Sequence, residues 1–121
     1  MAYDDQNIFA KILREEIPCN KIYEDNYVLS FYDINPQKKI HALVIPKGKY
    51  IDLDDFNKNA SNEEIAGLIK GISIVAKKLG ISTENGKGYR ALANISEDGG
   101  QEVPHLHFHI FGGDKIGKMV S

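Results

Sequence analysis

The chain has 121 residues, a mass of 13.5 kDa and a formal charge of −2, with 42% hydrophobic and 26% charged side chains. A chain of this length buries about two-thirds of its unfolded surface, so one core and a single domain over residues 1–121 are expected. The balance excludes disorder, collagen-like repeats and a coiled coil, and fifteen basic against seventeen acidic side chains leave no excess for binding a nucleic-acid polymer.

The opening MAYDDQNIFAKILREEI is acidic and has no continuous apolar stretch, so it does not read as a signal peptide. No apolar run reaches the roughly 18 residues of a membrane span. A cytoplasmic protein without a membrane partner is the expectation. Asn7 is placed to cap a short helix carrying Ile8, Phe9, Ile12 and Leu13, with Pro18 as its stop. The single cysteine, Cys19, permits no intramolecular disulfide and no cysteine-rich zinc module. Its neighbours Pro18 and Asn20 supply no base, so it reads as structural.

Strands are expected at Lys21–Glu24 and Val28–Tyr32 around the turn-prone Asp25-Asn26, and at His41–Ile45, ended by Pro46 and Gly48. Lys47, Lys49 and the acidic loop Asp52-Leu53-Asp54-Asp55 read as solvent-facing. Ser61 with Glu64 three residues on forms a capping box. Ile65, Leu68, Ile69, Ile72, Val75, Ala76 and Leu79 then recur at helical spacing, and Gly80 is placed for a left-handed cap. So wide an apolar face must cover a sheet or another subunit. Tyr89–Asn94 reads as a fourth strand and Val103–Phe111 as a fifth. One long and one short helix beside about five antiparallel strands give an α+β class.

The last strand carries the chemistry. Alternation along it sends His105, His107 and His109 to one face and Leu106, Phe108 and Ile110 to the other. Three imidazoles about 6.6–7 Å apart on one rigid element cost desolvation without packing gain, which marks a functional site. Two chemistries suit them. Zinc could be held by His105, His107 and His109 with His41, or one imidazole could attack an electrophile while the others orient it. The preceding loop, Ser96 to Glu102, places Gly99 and Gly100 where backbone N–H groups can approach a phosphate, which favours nucleophilic catalysis.

The run His105–Phe111 resembles the signature of the histidine triad (HIT) superfamily. The resemblance takes in Ile8-Phe9-Ala10-Lys11-Ile12, Ile17-Pro18, Phe31 to Gln37, His41 to Lys47 and Asp98-Gly99-Gly100-Gln101. Together these are most similar to the Hint-like, nucleoside phosphoramidase branch. The broad apolar face of the Ser61–Leu79 helix is expected at the twofold interface of a homodimer, and the resemblance implies a HIT-like fold whose two sheets join into one. It further implies a purine nucleoside monophosphate or phosphoramidate as ligand, cleavage of the P–N bond at the α-phosphate, and neither cofactor nor metal.

By the same resemblance His107 is the nucleophile and forms a transient nucleotidyl-histidine. His109 contacts phosphate oxygens, His105 holds position by hydrogen bonding and His41 supports the triad. Asp33 accepts from the ribose hydroxyls, while Phe9, Ile12, Phe31, Ile34 and Leu43 line the base pocket. Asn94, Gly100, Gln101, Glu102 and Val103 lie toward the phosphate. Glu102 stands where many eukaryotic members have a serine, and an ionised carboxylate beside a phosphate would repel it, so Glu102 is expected to act through its backbone N–H or to point elsewhere. Pro104 replaces a frequent aromatic, and the tail Gly112–Ser121 is short. A nucleotide-binding adaptor with vestigial catalysis is the alternative reading.

Overall fold

The computed structural model describes residues 2–119. The elements run α1 (Ile8–Leu13), β1 (Lys21–Glu24), β2 (Val28–Tyr32), β3 (Ile40–Pro46), α2 (Leu53–Asn59), α3 (Asn62–Lys78), β4 (Arg90–Leu92) and β5 (Phe108–Gly112). The strands form one antiparallel sheet in the order β1-β2-β3-β5-β4. The α+β expectation holds, with two short helices rather than one.

Strand alternation on β3 splits the molecule into two layers. Ala42 and Val44 face α3 and join Val28, Leu68, Ile72, Val75, Ala76, Leu106 and Ile110 in the principal core. Leu43 and Ile45 point the opposite way and pack with Leu29, Phe31, Phe9 and Ile12 beneath α1. His41 shares that second face, two residues before Leu43.

The helix ends follow local chemistry. Asn7 caps α1 through its side-chain oxygen, 2.9 Å from the Ala10 amide. Pro18 does not end this helix. Glu15, at φ 63°, does: the Glu15 and Glu16 amides donate to the carbonyls of Ile12 and Lys11, and the chain turns away. Ser61 and Glu64 make the expected capping box on α3, and Gly80 at φ +74° closes it in the same manner as Glu15 closes α1. The acidic stretch at 52–55 is no solvent loop. Asp52 caps α2 by accepting from the Asp55 amide at 2.8 Å, and the Asp55 carboxylate accepts from Ile51 N–H at 2.7 Å.

α3 spends most of its apolar face on its own sheet, burying Leu68, Ile72, Val75 and Ala76 and leaving Ile69 57% exposed. No helix among the described residues is long and apolar enough to cross a membrane. The fifth strand is shorter than expected, starting at Phe108, so His105 and His107 precede it. Pro104 is the physical reason, since it has no N–H to give a ladder. Residues 103–105 bend instead, with the His105 amide 2.9 Å from the Val103 carbonyl. The fourth strand is likewise trimmed, to Arg90–Leu92.

Candidate functional site

The bend gives each triad histidine a different setting. His109 stands on β5 opposite Leu43 of β3 and Leu92 of β4. His41, opposite Phe111, is its diagonal neighbour across the ladder. His41 Nε2 lies 2.9 Å from His109 Nδ1 and 3.5 Å from Asp33 Oδ2. His107 sits just before the strand, its ring 5.1 Å from that of His109 and 4.9 Å, edge to face, from Phe9. His105 lies below, with no exposed surface.

The hydrogen-bond partners fix the protons. A carbonyl can only accept, so the ring nitrogen facing it carries the hydrogen. His105 Nε2–H therefore donates to Pro46 O at 2.9 Å, and His107 Nδ1–H donates to His105 O at 2.7 Å. That leaves His107 Nε2 as a lone pair without a hydrogen-bond partner among the described residues. The Gln37 amide donates to His41 Nδ1 at 3.1 Å, so His41 carries its hydrogen on Nε2 and donates it to His109 Nδ1. His109 is thereby left with Nε2–H as an outward donor.

Burial keeps all four rings neutral. His105 and His109 are pushed down to about 4, mainly by desolvation, with His107 adding a further lowering to both and His41 to His109. His107 and His41 are also lowered by desolvation. Asp33 opposes this in both, and in His107 the His105 carbonyl and Glu102 oppose it too.

Asp33, His41 and His109 offer ligand-type atoms within 4.8 Å of one another. The proton pattern does not suit a metal there. A neutral imidazole has one lone pair, and that of His41 is taken by the Gln37 amide. The four-histidine zinc set is broken as well: both nitrogens of His105 are engaged, by Pro46 O and by the Tyr3 hydroxyl.

The remaining expected residues fall into two groups. Phe9, Ile12, Phe31 and Leu43 are gathered in one apolar cluster on the histidine face. Ile34, 85% exposed, is not packed in that cluster. A cavity of about 470 Å³ opens where Ile12 and Leu29 meet Ile17 and Cys19, with no histidine in its lining. Asp33 Oδ1 accepts from the Asn35 amide, and Oδ2 faces His41.

The pre-triad loop is closed more tightly than expected. Gly99 is required there because a Cβ would lie 2.4 Å from the Ile95 carbonyl oxygen. The Gly100 and Gln101 amides do not reach outward: they donate to Glu97 and Ser96 carbonyls within the loop. The Gln101 side chain is a brace, donating to Ile51 O and Val103 O and accepting from the Ser96 amide. The Glu102 and Val103 amides take no hydrogen-bond partner among the described residues. Asn94, half-buried, lies two residues past β4.

Tyr3, Gln37 and Phe111 enter the site without having been read as part of it. Phe111 stacks on His109 with rings parallel within 1° and 5.7 Å apart. The alternation that flagged His109 also places Phe111 on its face. The other two give no such signal, one acting from a distant terminus and the other through its backbone.

The HIT domain family model matches residues 14–116, from the end of α1 through β5. The chain belongs to the HIT domain family. A HIT-like protein of Azospirillum brasilense is 51% identical over 119 residues, covering 98% of this chain and 95% of that protein. The purine nucleoside phosphoramidase of Escherichia coli K12 is 37% identical over 118 residues, covering 97% and 95%. Among solved HIT structures, a HIT family hydrolase from Clostridium thermocellum superposes with a TM-score of 0.85 at 35% identity, covering 98% of this chain and 99% of that one.

Proposed function

We propose that this HIT protein hydrolyses purine nucleoside 5′-phosphoramidates through a covalent nucleotidyl intermediate on His107. One observation carries the reading: a buried neutral His107 whose Nδ1–H is committed to the His105 carbonyl, leaving Nε2 free beside the Nε2–H of His109. The similarity to a purine nucleoside phosphoramidase supports the substrate class.

In the first step the His107 Nε2 lone pair attacks the α-phosphorus. The P–N bond breaks, and the departing amine takes a proton from solvent. The nucleotidyl-imidazolium that results keeps its Nδ1–H on the His105 carbonyl, which eases the positive charge. In the second step water attacks phosphorus, the P–N bond to His107 breaks, neutral imidazole returns and water's proton is released. His109 Nε2–H and the amides of Glu102 and Val103 donate to the phosphate oxygens in both steps. Asp33 accepts from the ribose hydroxyls, and Phe9, Ile12, Phe31, Ile34 and Leu43 hold the purine, with Asn94 toward the phosphate. No metal takes part.

The test is turnover of adenosine 5′-phosphoramidate by wild type and His107→Ala, with mass spectrometry of wild type quenched in alkaline denaturant, where a nucleotidyl-histidine survives. Loss of turnover in the variant and a nucleotidyl adduct on His107 are expected. Undiminished turnover in the variant defeats the nucleophile assignment, and nucleotide binding without any turnover favours the adaptor reading. The same proposal includes a cytoplasmic homodimer, supported by the exposed Ile69 on α3 and by β4 at a sheet edge. A concentration-independent monomer mass in analytical ultracentrifugation would remove the dimer.

A further inference from the structure

His105 is the triad member furthest from solvent, and its own geometry sets the nucleophile. Its carbonyl holds His107 Nδ1–H, so any rotation of the His105 residue re-aims the His107 ring. One end of the His105 ring is tied to β3, where Nε2–H donates to Pro46 O. The other nitrogen, Nδ1, is then a lone pair inside the protein and needs a donor. That donor comes from 102 residues away: the Tyr3 hydroxyl lies 2.6 Å from Nδ1, and the two rings meet edge to face at 5.6 Å.

We propose that Tyr3 is a positioning residue of the active site, its hydroxyl fixing the ring and peptide of His105 that aim His107. The segment carrying it is anchored on its own account. Asn7 donates through backbone and side chain to the Asp4 carbonyl, and Asp5 is paired with Lys49 at 2.8 Å. Tyr3 also lies outside the residues matched to the HIT family, which begin at 14. Burial raises its hydroxyl pKa, so it stays protonated and remains a donor at neutral pH. The ionisable groups acting on this contact are His107 on the His105 side and Asp5, Lys49 and Arg14 on the Tyr3 side.

Tyr3→Phe deletes the donor and keeps the ring. The phosphoramidase reading is needed for the kinetic arm of its test alone. In ¹⁵N-labelled protein, long-range ¹H–¹⁵N spectra are expected to show His105 as the Nε2–H tautomer in both proteins. The Nδ1 resonance should move toward that of an unbonded acceptor in the variant, and the His107 Nδ1 proton should exchange faster with water. With adenosine 5′-phosphoramidate, kcat is expected to fall about three- to tenfold, the worth of an ordinary hydrogen bond, at unchanged KM. An unmoved His105 Nδ1 resonance, or an unchanged His107 proton exchange, overturns the proposal. A wild type that turns over no phosphoramidate defeats the reaction instead, and the two spectra still decide the role of Tyr3. Circular dichroism matching wild type assigns the changes to the contact; a lost native spectrum would make Tyr3 a folding residue and overturn its positioning role.

Discussion

His107 Nδ1 lies 2.7 Å from the carbonyl oxygen of His105, two residues earlier in the same bend. The contact orients the imidazole and fixes its tautomer, and in the proposed reaction it gives the charge that develops on attack a fixed partner. For His107→Ala, the proposed chemistry has no replacement nucleophile. Turnover of the phosphoramidate should fall at least about a thousandfold, with nucleoside monophosphate still bound. Steady-state kinetics with calorimetric titration of the monophosphate checks both halves.

The buried histidines also tie stability to pH. An unfolded-chain histidine titrates near about 6.5, whereas His105 in the fold titrates at about 4. Between those values the unfolded state holds more protons, so stability falls as pH drops through that window and is level above it. His105 alone accounts for about 3 kcal/mol across the window, and His41, His107 and His109 act in the same direction. Glu24, held at about 2 by Lys21 and Lys47, contributes only further down. Urea unfolding at pH 8.5, 7.5 and 5 should show nearly equal stability at the first two and a clear loss at the third; a flat profile would contradict the buried, neutral triad.

The parts legible from sequence were those where one residue type has one physical use. Ser61 with Glu64 made the helix start readable, and the apolar spacing from Ile65 to Leu79 made its length readable. The alternating histidines marked the site although the strand beneath two of them is absent, because Pro104 bends the chain at 103–105. α2 was missed because it buries a single side chain, Phe56, and its acidic residues are caps and first-turn charges that also suit a solvent loop. Tyr3 and the Gln37 amide could not be read from sequence. One contact spans 102 residues and the other uses the backbone.

The lone pair of His41 is committed to Gln37, and both nitrogens of His105 are engaged. Neither ring can join a metal without breaking an existing hydrogen bond. Dialysis against a chelator should leave turnover unchanged, and added zinc should not raise it. Loss on chelation with recovery on zinc would reverse the reading.

In the proposed reaction Gln101 serves phosphate binding as a brace, without touching phosphate. Its side chain donates to Ile51 O at 2.7 Å and Val103 O at 3.0 Å and accepts from Ser96 N–H at 3.0 Å. Those bonds pin the loop that presents the Glu102 and Val103 amides. Gln101→Ala should cost about 1 kcal/mol of stability, since its partners are exposed or half-buried and water can take over their bonds. It should also lower kcat/KM, and Gln101→Glu should do no better, because a carboxylate has no N–H for Ile51 O and Val103 O and sets a negative charge against both carbonyls. Thermal unfolding and kinetics on both variants separate the brace from direct contact.

Asp33 has one oxygen on the Asn35 amide and the other 3.5 Å from His41, which leaves lone pairs for the proposed contact with the ribose hydroxyls. Hydrogen bonds to a charged acceptor are worth about 1.5–3 kcal/mol, so Asp33→Asn should raise KM for adenosine 5′-phosphoramidate about ten- to a hundredfold. The amide also leaves His41 without the carboxylate that opposes its lowered pKa, an effect that falls on kcat and its acid limb. A 2′,3′-dideoxy substrate distinguishes these. It offers nothing for Asp33 to accept, so wild type and Asp33→Asn should show nearly equal KM values for it while the kcat difference persists. If the KM gap survives on the dideoxy substrate, Asp33 acts through the turn at Asn35 and not on the sugar.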